Sequence, residues 1–224
     1  MRQTNAEGLQ LERDGAVLHR AAVAGHIAEL EQLLSDYASD RAGTRIQDHP
    51  ALSVVLEQAV GGRIAHHLGS AAKPVRAILF NKTADTNWSL GWHQDRTIAV
   101  RHRAVVPGFG PWTVKQGMLH VAPPFALLAG MLTVRIHLDP VDEGNAPLLI
   151  APGSHRQQVA EADIDEVVRA CGTAACLAAQ GDVWIYATPI LHASQAAACP
   201  RRRRVLQVDY AGAGLPGELE WLGV

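Results

Sequence analysis

Two histidines and an aspartate, far apart in the chain, have the side chains that a transition-metal site needs. His93 and Asp95 are separated by one residue, and His192 lies much later in the chain. In a β-strand alternate residues share a face, so His93 and Asp95 can direct an imidazole and a carboxylate at one point. A histidine from a distant strand would complete two histidines and one carboxylate on one side of a metal. Such a set leaves positions open and suits a non-haem Fe(II) that binds O2 and a co-substrate together.

A second His-x-Asp pair, His137 and Asp139, has the same spacing. We favour His93, because the long stretch 96–124 that follows Asp95 is typical of a lid or binding segment. Asp139 precedes a proline, which is typical of a turn. The alternative for His93 is an ordinary surface or core histidine, and a single His-x-Asp spacing would favour that interpretation. The metal hypothesis is preferred because His192 and a run of arginines accompany the pair.

Residues 201–204 are all arginine and precede residues 205–210 (VLQVDY), a pattern typical of a strand. Basic runs also occur in nuclear signals and nucleic-acid patches, but a formal net charge of −2 argues against that function. In a strand, successive arginines point to opposite faces, and a guanidinium that points inward is costly unless an anion meets it. The planar donors of arginine bind a carboxylate through two hydrogen bonds, which fits a dicarboxylate co-substrate.

Composition indicates one globular domain over residues 1–224, with 48% hydrophobic and 19% charged residues. No stretch approaches the roughly 20 apolar residues of a membrane span. The polar N-terminus lacks the apolar centre of a secretory signal, and the three cysteines lack metal-finger spacing. We therefore expect a cytoplasmic protein with reduced thiols, a small-molecule partner, and neither nucleic acid nor membrane as a partner.

Hydrophobic patterning predicts a mainly β fold with a helical buttress (α+β). Residues 1–70 are predicted to form the buttress, with one helix over 16–37 and a second from Pro50 to about Gly69. Short strands and turns follow over 74–212, which predicts a sandwich or jelly roll. The predicted strands are 75–81, 131–139, 148–150, 174–179, 183–186 and 205–210.

The strand predicted over 131–139 has one apolar and one polar face. The apolar face consists of Leu132, Val134, Ile136 and Leu138, and the polar face of Thr133, Arg135, His137 and Asp139. The apolar face would pack against the helices. Polar residues in the middle of a central strand favour a cavity-lining role over exposure to solvent.

Three separate motifs resemble the phytanoyl-CoA dioxygenase family of Fe(II)/2-oxoglutarate oxygenases, over about residues 75–210. They are WHQD at 92–95, DEGNAPL at 142–148 followed by APGSH at 151–155, and HAS at 192–194 continuing through 203 to 210. The usual Asn-Gly turn of the family appears here as Gly144-Asn145. The resemblance implies a double-stranded β-helix (cupin-like jelly roll) with Fe(II), 2-oxoglutarate and O2 as cofactors. It implies that His93, Asp95 and His192 are the iron ligands and the catalytic centre.

The resemblance also implies the residues that bind 2-oxoglutarate. Arg203, eleven residues after His192, corresponds to the arginine that grips the far carboxylate, and Ser194 to a residue that assists. Lys82 is a weaker candidate on the strand before the His-x-Asp loop. Because the arginine run leaves the register uncertain by one, Arg204 is the reserve.

The resemblance implies hydroxylation of an unactivated C–H bond of a small molecule, with release of succinate and CO2. Related halogenases have a small residue where this chain has Asp95, so the carboxylate favours hydroxylation or another oxidation such as desaturation. The chain is short for the family, so the phytanoyl substrate is not carried over. Candidate substrate contacts are Trp92, Arg96, Arg101, His102, Trp112, Lys115 and Arg135. Their positive charge favours an anionic substrate, with a solvated lid surface as the equal alternative.

Two other functions stay open at this point. One is a cupin-like metalloenzyme that does not use 2-oxoglutarate, and the other is a non-catalytic jelly-roll binding protein. The substrate and the oligomeric state are not predicted by the sequence.

Overall fold

Short antiparallel strands dominate the computed structural model, which describes residues 6–37 and 41–224. The strands are β1 (Ala16–His19), β2 (Gly43–Ile46), β3 (Lys73–Lys82), β4 (Leu90–His93), β5 (Ile98–Val100), β6 (Trp112–Lys115), β7 (Met118–Val121), β8 (Met131–His137), β9 (Leu148–Ile150), β10 (Ala174–Cys176), β11 (Val183–Ala187), β12 (His192–Ser194) and β13 (Arg203–Ala211). The helices are α1 (Leu11–Asp14), α2 (Ile27–Leu33), α3 (Pro50–Leu56), α4 (Gly62–Leu68), α5 (Phe125–Ala129) and α6 (Ile164–Cys171).

The described strands form three sheets. A six-stranded sheet has the order β1-β11-β8-β13-β3-β2, a four-stranded sheet the order β10-β9-β12-β4, and a three-stranded sheet the order β5-β7-β6. Side chains of the first two sheets line one cavity, including Arg135 from β8 and His192 from β12. Two antiparallel sheets around a common cavity form the predicted double-stranded β-helix. All six strands predicted from the sequence are confirmed, within a few residues at their ends.

The six-stranded sheet packs its apolar face on the helices. Val134 and Ile136 of β8 are fully buried in a cluster with Leu52 and Leu56 of α3. Because side chains alternate along a strand, Thr133 and Arg135 point to the opposite face, and Arg135 lines the cavity. The predicted cavity-lining role is confirmed for Arg135, whereas Asp139 lies beyond the end of β8 and binds Arg204.

The second predicted helix is confirmed as a continuous helical segment from Pro50 to Leu68, with one π-helical stretch at Glu57–Gly61. Pro50 occupies the first turn, where its missing N–H leaves no hydrogen bond unmade. The Nδ1 of His49 accepts the Leu52 N–H at 3.1 Å and caps the helix.

The predicted helix over 16–37 is wrong in its first part. Residues Ala16–His19 form β1, an edge strand whose Ala16 pairs with Tyr186 of β11. Only Ile27–Leu33 forms the α-helix α2. Pairing with the free edge of β11 satisfies the backbone of this segment, and that tertiary contact overrides the helical pattern. With β2 at the opposite edge, the N-terminal region extends the six-stranded sheet as well as covering it.

The stretch 96–124, predicted to be a lid or binding segment, contains three strands, β5, β6 and β7. Val100 and Val121 of this small sheet pack in an apolar cluster with Leu128 and Met131. The hairpin of β6 and β7 reaches back across the cavity, where Gln116 Nε2 donates to the Gly43 carbonyl at 3.0 Å. This part of the chain is therefore an ordered wall of the cavity.

Among the described helices, none combines the length and the apolar character needed to span a bilayer. All three cysteines are unpaired.

Candidate metal centre

His93 and His192 are brought together by strand pairing in the four-stranded sheet. His93 ends β4 and lies directly opposite His192, the first residue of β12. Their ring centroids are 4.2 Å apart. Asp95 follows two residues after β4 ends, where the chain turns toward the six-stranded sheet.

One ligand atom from each of His93, Asp95 and His192 lies within 4.8 Å of the others. In the described part of the chain this is the one trio of histidine, cysteine or acidic side chains with such spacing. The competing pair is not part of a metal site: Asp139 accepts hydrogen bonds from Arg204. The structure thus brings together the three side chains singled out from the sequence.

The orientation of both imidazoles suits metal binding. His93 Nδ1 lies 2.8 Å from the Gly91 carbonyl, and His192 Nδ1 lies 2.9 Å from the Ile190 carbonyl. A carbonyl can only accept, so each Nδ1 carries the proton and each Nε2 keeps its lone pair for a metal. Burial lowers the pKa of His192 to about 4, which keeps the ring neutral.

Asp95 is held as a carboxylate by Arg76. Arg76 Nη2 donates to Asp95 at 3.3 Å, while its Nε donates to Asp209 at 2.6 Å. Burial alone would raise the pKa of Asp95, but nearby positive charge, above all the Arg76 guanidinium, lowers the pKa overall. Asp209 also accepts the Thr133 hydroxyl at 3.0 Å, so the arginine that orients Asp95 is itself fixed.

Gln94, the residue between the two ligands, fixes the position of their loop through side-chain hydrogen bonds. Its buried amide donates to the carbonyls of Gln157 and Pro189 at 2.9 and 2.7 Å and accepts the Val159 N–H at 2.8 Å. These bonds connect the loop after β4 to the segment that leads into His192. Sequence reasoning missed this role, because nothing in the His-x-Asp spacing identifies the partners of the middle residue.

The three side chains lie at a cavity of about 590 Å³ between the two larger sheets. This volume is in the range of small-molecule sites. The aromatic and aliphatic part of its wall includes Ile78, Phe80, Trp88 and Leu148.

Three buried cations, Lys82, Arg135 and Arg203, lie on neighbouring strands of the six-stranded sheet, and of the three Arg135 is in the cavity wall. Arg203 lies opposite Lys82 in the β13–β3 register and donates to the Ala146 carbonyl. Arg135 donates to Gln207 Oε1 at 2.7 Å, and its guanidinium lies 5.4 Å from the centre of the Phe80 ring. Lys82 Nζ donates to the carbonyls of Trp88 and Gln195, each at 2.7 Å, and lies 3.5 Å from the Ser194 hydroxyl.

No carboxylate of the described residues forms an ion pair with these three cations. The Nε atoms of Arg135 and Arg203 are buried and find no hydrogen-bond partner in the described part of the chain. Burial, followed by the charges of Arg203 and Arg135, lowers the pKa of Lys82 to about 8. Burial and Arg135 likewise lower the pKa of Arg203. Such unpaired buried charge is unfavourable in the empty protein and attracts an anion.

Arg204 lies on the opposite face of β13 from Arg203. Its guanidinium binds Asp139 at 2.8 Å and also pairs with Glu31. The side chain therefore connects the sheet to the helical layer and does not reach the cavity.

Three of the seven predicted substrate contacts line the cavity and four do not. Arg96, Lys115 and Arg135 are in its wall, whereas Arg101 lies outside it, with Nη2 3.8 Å from Asp48. Trp92 packs in an apolar cluster beside the cavity, because the strand alternation that turns His93 inward turns Trp92 outward. His102 instead binds the Glu218 carbonyl at 2.6 Å, and Trp112 packs in the cluster under the small sheet.

Arg45 and Arg76 line the cavity but were not singled out from the sequence. Arg76 lies on the same face of β3 as Ile78 and Lys82. Its even spacing from Lys82, already a candidate, could have identified Arg76 from the sequence. Arg45 comes from β2, a strand that sequence patterning did not predict.

The double-stranded β-helix and its His-x-Asp…His trio define the class of non-haem iron oxygenases. The model of the phytanoyl-CoA dioxygenase (PhyH) family matches residues 11–205, and the chain belongs to this family. It is accordingly a non-haem Fe(II)/2-oxoglutarate-dependent dioxygenase. No curated protein sequence matches the chain at a significant level.

Solved structures share the fold at low sequence identity. HygX from Streptomyces hygroscopicus, with nickel, 2-oxoglutarate and hygromycin B bound, aligns with a TM-score of 0.60 and 12% identity over 90% of this chain and 84% of its own. The epimerase SnoN, in complex with Fe3+, alpha ketoglutarate and nogalamycin RO, aligns with a TM-score of 0.60 and 17% identity over 93% of this chain and 88% of its own. The carbocyclase SnoK from nogalamycin biosynthesis aligns with a TM-score of 0.61 and 18% identity over 100% of this chain and 91% of its own.

Proposed function

We propose that this protein hydroxylates an unactivated C–H bond of a small molecule, with Fe(II) held by His93, Asp95 and His192. The observation that carries the proposal is the meeting of these three ligand atoms within 4.8 Å at the wall of the cavity. Bound Fe(II) and 2-oxoglutarate supply the oxidising chemistry, in which O2 is consumed, succinate and CO2 are released, and the substrate gains a hydroxyl group.

The protein contributes a preorganised ligand set. The Nδ1–H bonds to backbone carbonyls fix both imidazoles with Nε2 free. Arg76 keeps Asp95 ionised and limits its rotation. A carboxylate at this position is the family feature that favours hydroxylation over halogenation.

The cation cluster of Lys82, Arg135 and Arg203 supports binding of a dicarboxylate. In the proposed arrangement Arg203 binds the far carboxylate of 2-oxoglutarate, and Arg135 and Lys82 complete the neutralisation. Ser194, whose hydroxyl is 3.5 Å from Lys82 Nζ and lines the cavity, contributes a further donor. A cupin-like metalloenzyme that does not use 2-oxoglutarate has no need of three unpaired buried cations, so this observation favours the dioxygenase.

The substrate is proposed to be a small molecule, because the cavity of about 590 Å³ fits one together with 2-oxoglutarate. HygX and SnoN were crystallised with hygromycin B and nogalamycin RO, which are also small molecules. Unpaired cysteines fit a reducing compartment, and we propose the cytoplasm as the location.

An anaerobic titration tests the proposal directly. Addition of 2-oxoglutarate to the Fe(II)-loaded protein should produce the visible charge-transfer absorption of the metal chelate, and a screen of small metabolites should then give substrate-dependent succinate release. Iron retention with neither the absorption nor succinate would contradict the proposal and favour the cupin-like alternative. Failure to retain iron would favour a non-catalytic binding protein.

A further inference from the structure

We propose that Arg45 and Lys115 form an anion-binding subsite for the substrate at the mouth of the cavity, so the substrate carries a carboxylate or phosphate group. This inference rests on the proposed function and names the substrate class of the same site. It concerns two cations that no step of co-substrate binding uses.

Arg45 is a cation of the cavity wall for which the described residues provide no ion-pair partner. It projects from β2, opposite Ile78 of β3, and both residues line the cavity. Among the described residues it forms no ion pair, and its Nε is buried without a hydrogen-bond partner. Burial and the nearby Arg76 lower the pKa of Arg45, against an opposing effect of Asp95. A ligand oxyanion would supply the missing acceptor.

Lys115 reaches the same region from another element. It ends β6, and the next residue, Gln116, is hydrogen-bonded to the Gly43 carbonyl, two residues before Arg45. The bond holds the hairpin tip against β2, so both cations face one opening. Lys115 Nζ has a neutral partner, the Thr97 hydroxyl at 3.1 Å. Burial and Arg76 lower the Lys115 pKa, Asp95 opposes them, and Arg45 adds to the lowering.

The subsite is separate from the cations proposed for 2-oxoglutarate. Arg45 lies in register with Ile78, whereas Arg203 lies in register with Lys82. The two positions on β3 are four residues apart, about 13 Å at the usual strand rise. The far carboxylate of one 2-oxoglutarate therefore occupies the Lys82 end, and the charge at Arg45 and Lys115 is left for a second anion.

The other charges of the cavity wall do not neutralise this pair. The positive residues are Arg45, Arg76, Arg96, Lys115 and Arg135, and the negative residues are Asp95 and Glu161. Asp95 is bound by Arg76 and is proposed as a metal ligand, so it is not available to the two cations at the mouth. Glu161 is exposed and forms no ion pair with any cation of the described residues. A neutral substrate would leave both of them unpaired.

Ligand-observed NMR titration tests the inference on protein loaded with Zn2+ in place of Fe(II) and with saturating 2-oxoglutarate. The probes are phenyl phosphate, benzoate and benzyl alcohol, which share a ring and differ in charge. One or both anions should bind more tightly than benzyl alcohol, and the preferred anion distinguishes a phosphate from a carboxylate substrate. The double variant R45M/K115M should weaken the preferred anion at least tenfold and leave benzyl alcohol unchanged.

Two further variants make the result specific. R63M/K73M removes the same net charge at exposed positions outside the cavity and should bind the anions as the wild type does. R45K/K115R keeps both charges and should restore most of the anion affinity. Circular dichroism confirms that each variant is folded.

Different experimental results would overturn this inference and the proposed function. Wild-type protein that binds neither anion better than benzyl alcohol, or an R45M/K115M variant with unchanged anion affinity, overturns the subsite. Loss of 2-oxoglutarate affinity in R45M/K115M would also overturn it, because the pair would then anchor the co-substrate. Absence of 2-oxoglutarate binding to the metal-loaded wild type instead contradicts the proposed function.

Discussion

Arg203 and Arg204 are neighbours in β13, yet their guanidinium groups lie in opposite electrostatic environments. Arg203 faces the inside of the β-helix, 2% exposed, and meets a carbonyl but no carboxylate among the described residues. Arg204 faces the helices and pairs with Asp139 and Glu31. Adjacent identical residues thus have different physical roles: the first is an unpaired charge available to a ligand, and the second stabilises the fold.

This contrast predicts opposite effects of two equal substitutions. R204M should lower the free energy of unfolding by about 2 kcal/mol, because it removes the guanidinium from the partly buried Asp139, which keeps the residue 204 backbone N–H and the exposed Arg202. R203M should leave the stability of the ligand-free protein unchanged or raise it, since it removes an uncompensated buried charge. R203M should also weaken 2-oxoglutarate binding at least a hundredfold, whereas R204M should not.

Urea unfolding with and without 2-oxoglutarate measures both effects. The co-substrate should stabilise wild-type and R204M protein and should have no effect on R203M. If R203M is destabilised as much as R204M, Arg203 is a structural residue and its proposed role fails.

Removal of either histidine ligand should abolish stoichiometric metal binding without unfolding the protein. H93A and H192A each take away one Nε2 donor, and a site with two remaining ligands should bind Fe(II) at least a hundredfold more weakly. Metal analysis after dialysis measures the content, and H102A is the matched control because His102 is exposed and lies outside the cavity. Full metal content in H93A would exclude His93 as a ligand.

Strands were predictable where two-residue alternation is long and apolar on one face. The alternation of β8 identified both its packing face and its cavity face. In a central strand between two layers, each side chain faces either the helices or the cavity. β1 was misassigned, because a four-residue edge strand has too little pattern and its partner β11 is far along the chain. Pairing partners of this kind are a tertiary property that local sequence does not encode.

The candidate site was predictable where residue type and spacing carry the chemistry. His93 and Asp95 were identified by their spacing, and His192 by the arginine run after it. Arg45 was not identified, because it reaches the cavity through β2 at the opposite edge of the sheet. Trp92 was assigned to the substrate although β4 turns it outward, and only the observed orientation of His93 determines which neighbour faces in.

Gln94 offers a test of how the ligand loop is positioned. Q94A removes three hydrogen bonds and leaves the Val159 N–H and the Pro189 carbonyl without their partner. We expect a loss of about 2–4 kcal/mol in the free energy of unfolding, from those unpaired groups, and a 10- to 100-fold lower metal affinity, because the loop carries His93 and Asp95.

Calorimetric titration of the metal and thermal unfolding check the two parts of this prediction. Q157A is the matched control, because Gln157 contributes its backbone carbonyl, which the substitution retains. Wild-type metal affinity in a destabilised Q94A protein would restrict Gln94 to a role in stability.

Lys82 should make 2-oxoglutarate binding weaken in alkaline solution. The pKa of Lys82 is lowered to about 8 by burial, Arg203 and Arg135, and a bound carboxylate would raise it again by favouring the charged form. Below about pH 7 the amine is protonated in both states and the dissociation constant should be flat. Above about pH 8 the free protein loses the proton that the complex retains, so the dissociation constant should rise by up to tenfold per pH unit.

Titrations from pH 6.5 to 9.5 measure this pH profile. The K82M variant should bind 2-oxoglutarate more weakly, and its affinity should not change with pH in this way. An unchanged wild-type affinity across that range would show that the Lys82 charge does not contribute to co-substrate binding.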